Sequence, residues 1–338
     1  ALHMYGGEDG WRWAIAQSAI VMAAYGVYYW FAITDGPAGT VHRKPRKAVA
    51  LEVSSWGDMI KLILWTIPLV GVLGILVWRI ETMGYLSATG AAICYAVIVA
   101  IVCYQIIQIL RVNIPLLKQG VPEDDKYPFN SVAALNSTYF ANFGAELAVV
   151  SMLPMFFEET WSLSATAAGL IAASFAFVNL VARPMGGLVS DRMGNRRFVM
   201  LSYMFGISVG FALMGLMNSN WPLIIAVGIT VFTSFFVQGA EGATFGIIPS
   251  IKRRLTGQIS GMAGAYGNVG AVVYLTIFTF VTPTQFFYII AGGAFVSWLL
   301  CIMWLKEPES GFADEYQVSS VDLQIEEEER RRQAAATS

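Results

Sequence analysis

Long apolar runs alternate with short polar ones along the whole chain. A membrane-spanning helix takes about 20 consecutive apolar residues. Runs of that length fall at roughly 13–33, 59–78, 87–110, 132–157, 164–188, 198–217, 222–247, 259–281 and 284–305. Nine spanning helices are therefore predicted, in an all-α polytopic membrane protein. Between them, 34–58 reads as a basic linker. The stretch 111–130, with Pro115, Pro122, Asp124, Asp125 and Pro128, reads as an irregular, solvated loop. After Pro308 the tail is polar, and Glu326 to Glu329 followed by Arg330 to Arg332 reads as a solvated helix or disorder.

Charge orients this pattern. If the first span runs inward, every Lys and Arg except Arg12, Arg79 and Arg183 falls on one side of the membrane. Lys- and Arg-rich loops stay cytoplasmic. The expectation is a multi-pass protein of the cell membrane (plasma or inner), with its C-terminus in the cytoplasm. Composition agrees: 56% of residues are hydrophobic and 13% charged, against about a quarter charged in soluble domains. A net charge of -2 offers nothing to nucleic acid. Cys94, Cys103 and Cys301 lie inside apolar runs and read as small buried hydrophobes. His3 and His42 lie far apart in polar flanks. No metal, cofactor or nucleophile–base set is expected, so the chain does not read as an enzyme.

The exception to the charge pattern is the place to look for chemistry. Arg183 sits inside an apolar run, and an Arg within the membrane costs from a few to about 10 kcal/mol, which marks a functional site. A guanidinium is always charged and offers a planar fork of donors that suits a planar oxyanion. Pro184, Gly186 and Gly187 follow and leave room beside it. The alternative is a structural partner for an intramembrane carboxylate, Glu146 or Glu241. Both carboxylates are candidates for carrying a proton; Glu241 reads equally as a simple hydrogen-bonded acid. In the run 136–147, Tyr139 and Phe143 are four apart and share a helix face. They either flank a flat anion or pack as ordinary aromatics, with Asn142 and Glu146 forming a polar stripe beside them. Gly257, Gly261, Gly264, Gly267 and Gly270 form a stripe of small residues around Asn268, suited to close helix approach.

Three motifs carry a family resemblance. Gly187-x-x-x-Asp191-Arg192-x-Gly194-x-Arg196-Arg197 resembles the loop motif of the major facilitator superfamily, between the second and third helices of each six-helix half. Gly261-x-x-Gly264-x-x-Gly267-Asn268-x-Gly270 resembles the glycine signature of its nitrate/nitrite porter family. Glu241-Gly-Ala-Thr-Phe245 through Arg253-Arg254 to Ile259-Ser260-Gly261 resembles the high-affinity, plant and cyanobacterial branch. Ala271, where a glycine often follows, departs from the pattern.

The resemblance implies an organisation and a site. Residues 1–36 would be the last helix of an N-terminal half, with Gly10-Trp11-Arg12 as the outer loop before it and the first five helices missing. Residues 37–130 would be linkers around an inserted, peripheral, lipid-facing hairpin. Residues 131–307 would be the C-terminal transport half, and 308–338 a cytoplasmic tail. Arg183 would bind nitrate, with Tyr139, Phe143, Gly267 and Asn268 lining the site and a second Arg supplied by the missing half. Gly187, Asp191, Arg192, Gly194, Arg196 and Arg197 would form a gating loop. The implied function is uptake of nitrate, with nitrite as a further substrate, by alternating access, driven by protons, for nitrate assimilation. Transport of another small anion, or nitrate sensing without transport, is the alternative.

Overall fold

The computed structural model describes residues 10–33 and 49–307, with 320, 321, 323, 324, 327, 328 and 331 of the tail. Most of the basic linker and most of the tail lie outside the described residues. Every regular element described is helical, and nine segments are long and apolar enough to cross a membrane. The all-α polytopic reading holds.

The first helix, α1 (Gly10–Ala32), is a unit by itself, exposed along almost its whole length. The second unit begins with a helical hairpin, α2 (Trp56–Thr82) and α3 (Ala88–Gln119). Six further spans follow: α4 (Phe129–Trp161), α5 (Ala165–Phe177) with α6 (Asn179–Arg192), α7 (Arg196–Leu216), α8 (Leu223–Ile251), α9 (Thr256–Phe278) and α10 (Pro283–Trp304). Ser55, Ser87, Ser164, Asn195 and Thr282 each cap the helix that follows by accepting a backbone N–H. These caps satisfy donors that have no partner inside the helix.

The six spans pair in a symmetric pattern. α4 packs on α9, and α8 packs on α6; α4 packs on α10, and α8 packs on α7; α7 also packs on α10, and α4 on α8. Exchanging the first three spans with the last three leaves this list unchanged. That is the three-plus-three repeat of transporter halves, which hydropathy alone does not reveal.

Three expectations need correction. The span predicted at 164–188 is interrupted at Val178, where the backbone tightens and the Val181 and Ala182 N–H groups both reach the Val178 carbonyl. Pro184, six residues on, has no N–H to give, so the helical ladder is irregular across this stretch.

The loop predicted from residue 111 begins only after Gln119. α3 continues through Arg111 with Pro115 inside it. Buried Asn113 explains the extension: its Oδ1 accepts the Val53 N–H at 2.8 Å and its Nδ2 donates to the Leu51 carbonyl at 3.1 Å.

The hairpin is also more than lipid-facing bulk. Helix α2 docks on the glycine helix α9: the Tyr266 hydroxyl donates to the Trp65 carbonyl, and the two rings meet edge-on at 5.1 Å. Toward the other end, Trp78 stacks on Phe280 and the Arg79 guanidinium lies 5.0 Å over the same ring.

Candidate functional site

Glycine sets the geometry of the site. A Cβ on Gly242 of α8 would run into the Arg183 carbonyl of α6, and one on Gly186 would run into the Gly239 carbonyl. The two backbones therefore touch, as small residues at a membrane helix interface allow. This contact places Arg183 against the face of α8 that carries Gln238 and Glu241, three residues apart.

Arg183 lies between two carboxylates. Its Nη2 donates to Glu146 Oε2 on α4 at 3.2 Å and forms an ion pair with Glu241 Oε2 on α8. Glu241 is fully buried and Glu146 nearly so, while the Arg183 side chain keeps 35% of its surface exposed. Glu146 has two further partners. Its Oε1 accepts Gln238 Nε2 at 2.9 Å and Asn179 Nδ2 at 3.1 Å.

Aromatic rings wall one side. Tyr139 and Phe143 stack at 5.2 Å with planes 10° apart, and Phe245 meets Tyr139 edge-on at 5.1 Å. The Arg183 guanidinium carbon lies 6.0 Å from the Phe143 ring centre, at the edge of cation–π range. Gly267 of α9 closes against the back of this pair. A Cβ there would come within 2.6 Å of Phe143 and 2.7 Å of Tyr139.

Arg183, Glu146, Glu241, Tyr139, Phe143 and Gly267 thus come together. Asn268 does not join them. It is exposed, and its Nδ2 donates to the Gly264 carbonyl of its own helix at 3.0 Å. It shares that open face with Gly257, Gly261 and Gly264, where a Cβ would meet nothing. Asn142 turns its Oδ1 to the Phe143 N–H at 2.6 Å. Arg183 is thus a cation paired with two carboxylates and exposed on one side.

The loop motif lies at the other end of α6. Arg196 Nη2 pairs with Asp191 Oδ1 at 3.1 Å, and Gly194 adopts a left-handed φ of 64°, a conformation that other residues rarely tolerate. Gly187 faces Gly242, and Arg192 is exposed. The Arg196 and Arg197 N–H groups donate to the two oxygens of Glu307, at 2.9 and 2.6 Å. Arg197 Nη2 reaches the Ile302 carbonyl at 2.6 Å.

Sequence reasoning gave no role to Gln238, Asn179, Phe245 or Glu307. Spacing held a signal for two of them. Gln238 is one helical turn before Glu241, and Asn179 one turn before Arg183. Glu307 follows a whole span and had no local signal.

The six-span bundle, the loop motif and the intramembrane Arg fit the superfamily pattern read from the sequence. A model of the Major Facilitator Superfamily matches residues 135–333, and the chain belongs to that superfamily. Within it, the chain is 42% identical over 322 residues to the nitrate/nitrite transporter NrtP of Picosynechococcus sp., covering 90% of this chain and 60% of that protein. The NrtP of Nostoc punctiforme is 41% identical over 316 residues, covering 92% of this chain and 63% of that protein. The high-affinity nitrate transporter 2.3 of Oryza sativa subsp. japonica is 40% identical over 148 residues, 42% of this chain and 28% of that protein. These relatives support the nitrate/nitrite porter resemblance read from the glycine run. The chain spans less than two thirds of the length of each of them.

Proposed function

We propose that the protein carries nitrate, and nitrite with it, across the membrane by alternating access, with Arg183 as an anion-binding residue. One observation carries this reading: Arg183 is held at a helix–helix contact by two carboxylates yet keeps an open side next to a stacked aromatic pair. Nitrate is planar and needs planar donors and flat walls. The guanidinium supplies the first, and Tyr139 and Phe143 the second. Gly267 holds the rings in place, and Asn268 lines the approach from the open glycine face of α9. A further half, of the kind implied by the greater length of the relatives, would face Arg183 with a second cation.

Driving force points to coupling. Nitrate entering a cell with negative potential costs about 2.3 kcal/mol per 100 mV. Glu146, bonded to Arg183, links the anion to a proton: anion binding competes with the carboxylate for the guanidinium, and a proton on the carboxylate relieves that competition. Glu241 is the second candidate carrier. The loop 187–197 is the gate, on the cytoplasmic side together with the C-terminal tail.

The test is uptake of labelled nitrate into cells lacking their own, with the full-length protein and its Arg183→Lys variant at equal membrane levels. Lys keeps the charge but not the planar fork, so uptake is expected only with Arg. Uptake surviving in the variant removes Arg183 from the site. No uptake by the wild type removes nitrate, and a competition series with other small anions then finds the substrate.

A further inference from the structure

Every group bonded to Glu146 is a donor. Oε2 faces the Arg183 guanidinium, and Oε1 receives the Gln238 and Asn179 amides. This shell suits an ionised carboxylate, which only accepts. A protonated acid must donate one O–H, and a guanidinium has no acceptor to offer it. If Glu146 carries a proton, some neighbour must supply an oxygen.

That oxygen is present. Gln238 is fully buried, its Nε2 is spent on Glu146, and its Oε1 has no hydrogen-bond partner. A buried acceptor left unpaired is costly and calls for an explanation. Rotation about the last side-chain torsion, which is broad and nearly two-fold, exchanges Nε2 and Oε1. Asn179 is half-exposed at the Val178 break, so it is under no such constraint.

We propose that Gln238 is a positioning residue that follows the protonation state of Glu146. With Glu146 ionised, the amide donates to Oε1 and Arg183 stays engaged. When a proton from water on the open side of Arg183 binds Oε1, one O–H bond forms and the N–H···O contact breaks. The amide then turns, and its Oε1 accepts the new O–H. Glu146 is held as a neutral acid, and Arg183, still paired with Glu241, is released on the Glu146 side for the anion. Return of the proton to water reverses the turn. This rests on the reading of Arg183 as the anion site and Glu146 as the proton carrier.

The other charges around Glu146 are few. Arg183 faces it from α6 and Glu241 from α8, with the Tyr139 hydroxyl within electrostatic reach on its own helix. Helices α5, α9 and α10 carry no Asp, Glu, Lys, Arg or His. From α2, Lys61 bonds Asn130, about 24 Å along α4 from Glu146. From α7, Arg196 and Arg197 are tied to Asp191, Glu307 and Ile302.

The experiment uses the full-length protein in vesicles and compares nitrate uptake driven by a pH gradient with nitrate counterflow at equal pH. Gln238→Met fills the same space without donor or acceptor. It is expected to cut gradient-driven uptake about tenfold relative to counterflow. An unchanged ratio in Gln238→Met overturns the role. A second readout needs no nitrate: the infrared carboxylic C=O band that Glu146→Gln removes should shift in Gln238→Met, and a band that stays put also overturns it. Wild-type vesicles that take up no nitrate would refute the anion reading alone, and the infrared band would still decide the amide's role. Wild-type exchange without any proton drive would refute the amide's role and leave the anion reading standing.

Discussion

Two regions of this protein hold an arginine between two carboxylates, and they differ in balance. In the membrane, Arg183 faces Glu146 and Glu241. At the end of α8, Arg254 pairs with Glu52 and, at 2.9 Å, with Asp125, while Lys252 Nζ binds the other Asp125 oxygen at 2.5 Å. Among the described residues the second cluster has two cations for two carboxylates, and the Arg254 side chain is only 10% exposed. The first has one cation for two carboxylates, amides where a second cation would stand, and an Arg three times as exposed. The balanced cluster is a fastener: Tyr127 completes it by donating to the Glu52 carbonyl at 2.6 Å. The unbalanced one keeps the open side on which the proposed anion site rests. In that reading, the same pair chemistry serves structure or function according to whether the charges already cancel.

Breaking the fastener should cost the most stability. Arg254→Leu leaves Glu52 buried without its cation, and loss of one partner of a buried pair costs about 3–5 kcal/mol. Thermal unfolding in detergent should show this, with uptake per folded molecule unchanged. A matching fall in turnover would place the fastener in the transport cycle and erase the distinction.

Glu146→Gln tests the other side of the comparison, because it gives the membrane cluster one cation and one carboxylate. Gradient-driven nitrate uptake should drop to the level of exchange alone, with exchange itself retained. Uptake that still follows the pH gradient would remove Glu146 from coupling and leave Glu241 as the carrier to test. The smallest effect belongs to Asn268, which touches only its own helix. Asn268→Ala should raise the KM for nitrate about threefold without lowering stability. A larger change in KM would mean that Asn268 leaves Gly264 to bind the anion directly.

The sequence revealed the spans, because a run of apolar residues is a local property. It also revealed Arg183, Glu146 and Glu241, because a charge within such a run stands out. The symmetric pairing of α4–α7 with α8–α10 was hidden, since inverted repeats share geometry and not periodicity. The true end of α3 was hidden by Pro115, which reads as a stop unless Asn113 is known to hold Leu51 and Val53. Gln238 and Asn179 were overlooked because an amide beside a carboxylate has no signature until three helices bring them together. Asn268 was placed at the site by its neighbour Gly267, yet one residue turns a side chain about 100° around a helix, enough to leave the aromatic wall.

The length of α3 has a mechanical consequence. Its 32 residues give a rod about 48 Å long, against a hydrocarbon layer of about 30 Å. Asn113 rides about 38 Å from the Ala88 end of that rod, farther than that layer is thick. The height at which Leu51 and Val53 are gripped is therefore metered by helical rise. Inserting one turn between Ala88 and Asn113 would move that grip by about 5.4 Å, like lengthening the shank of a hook.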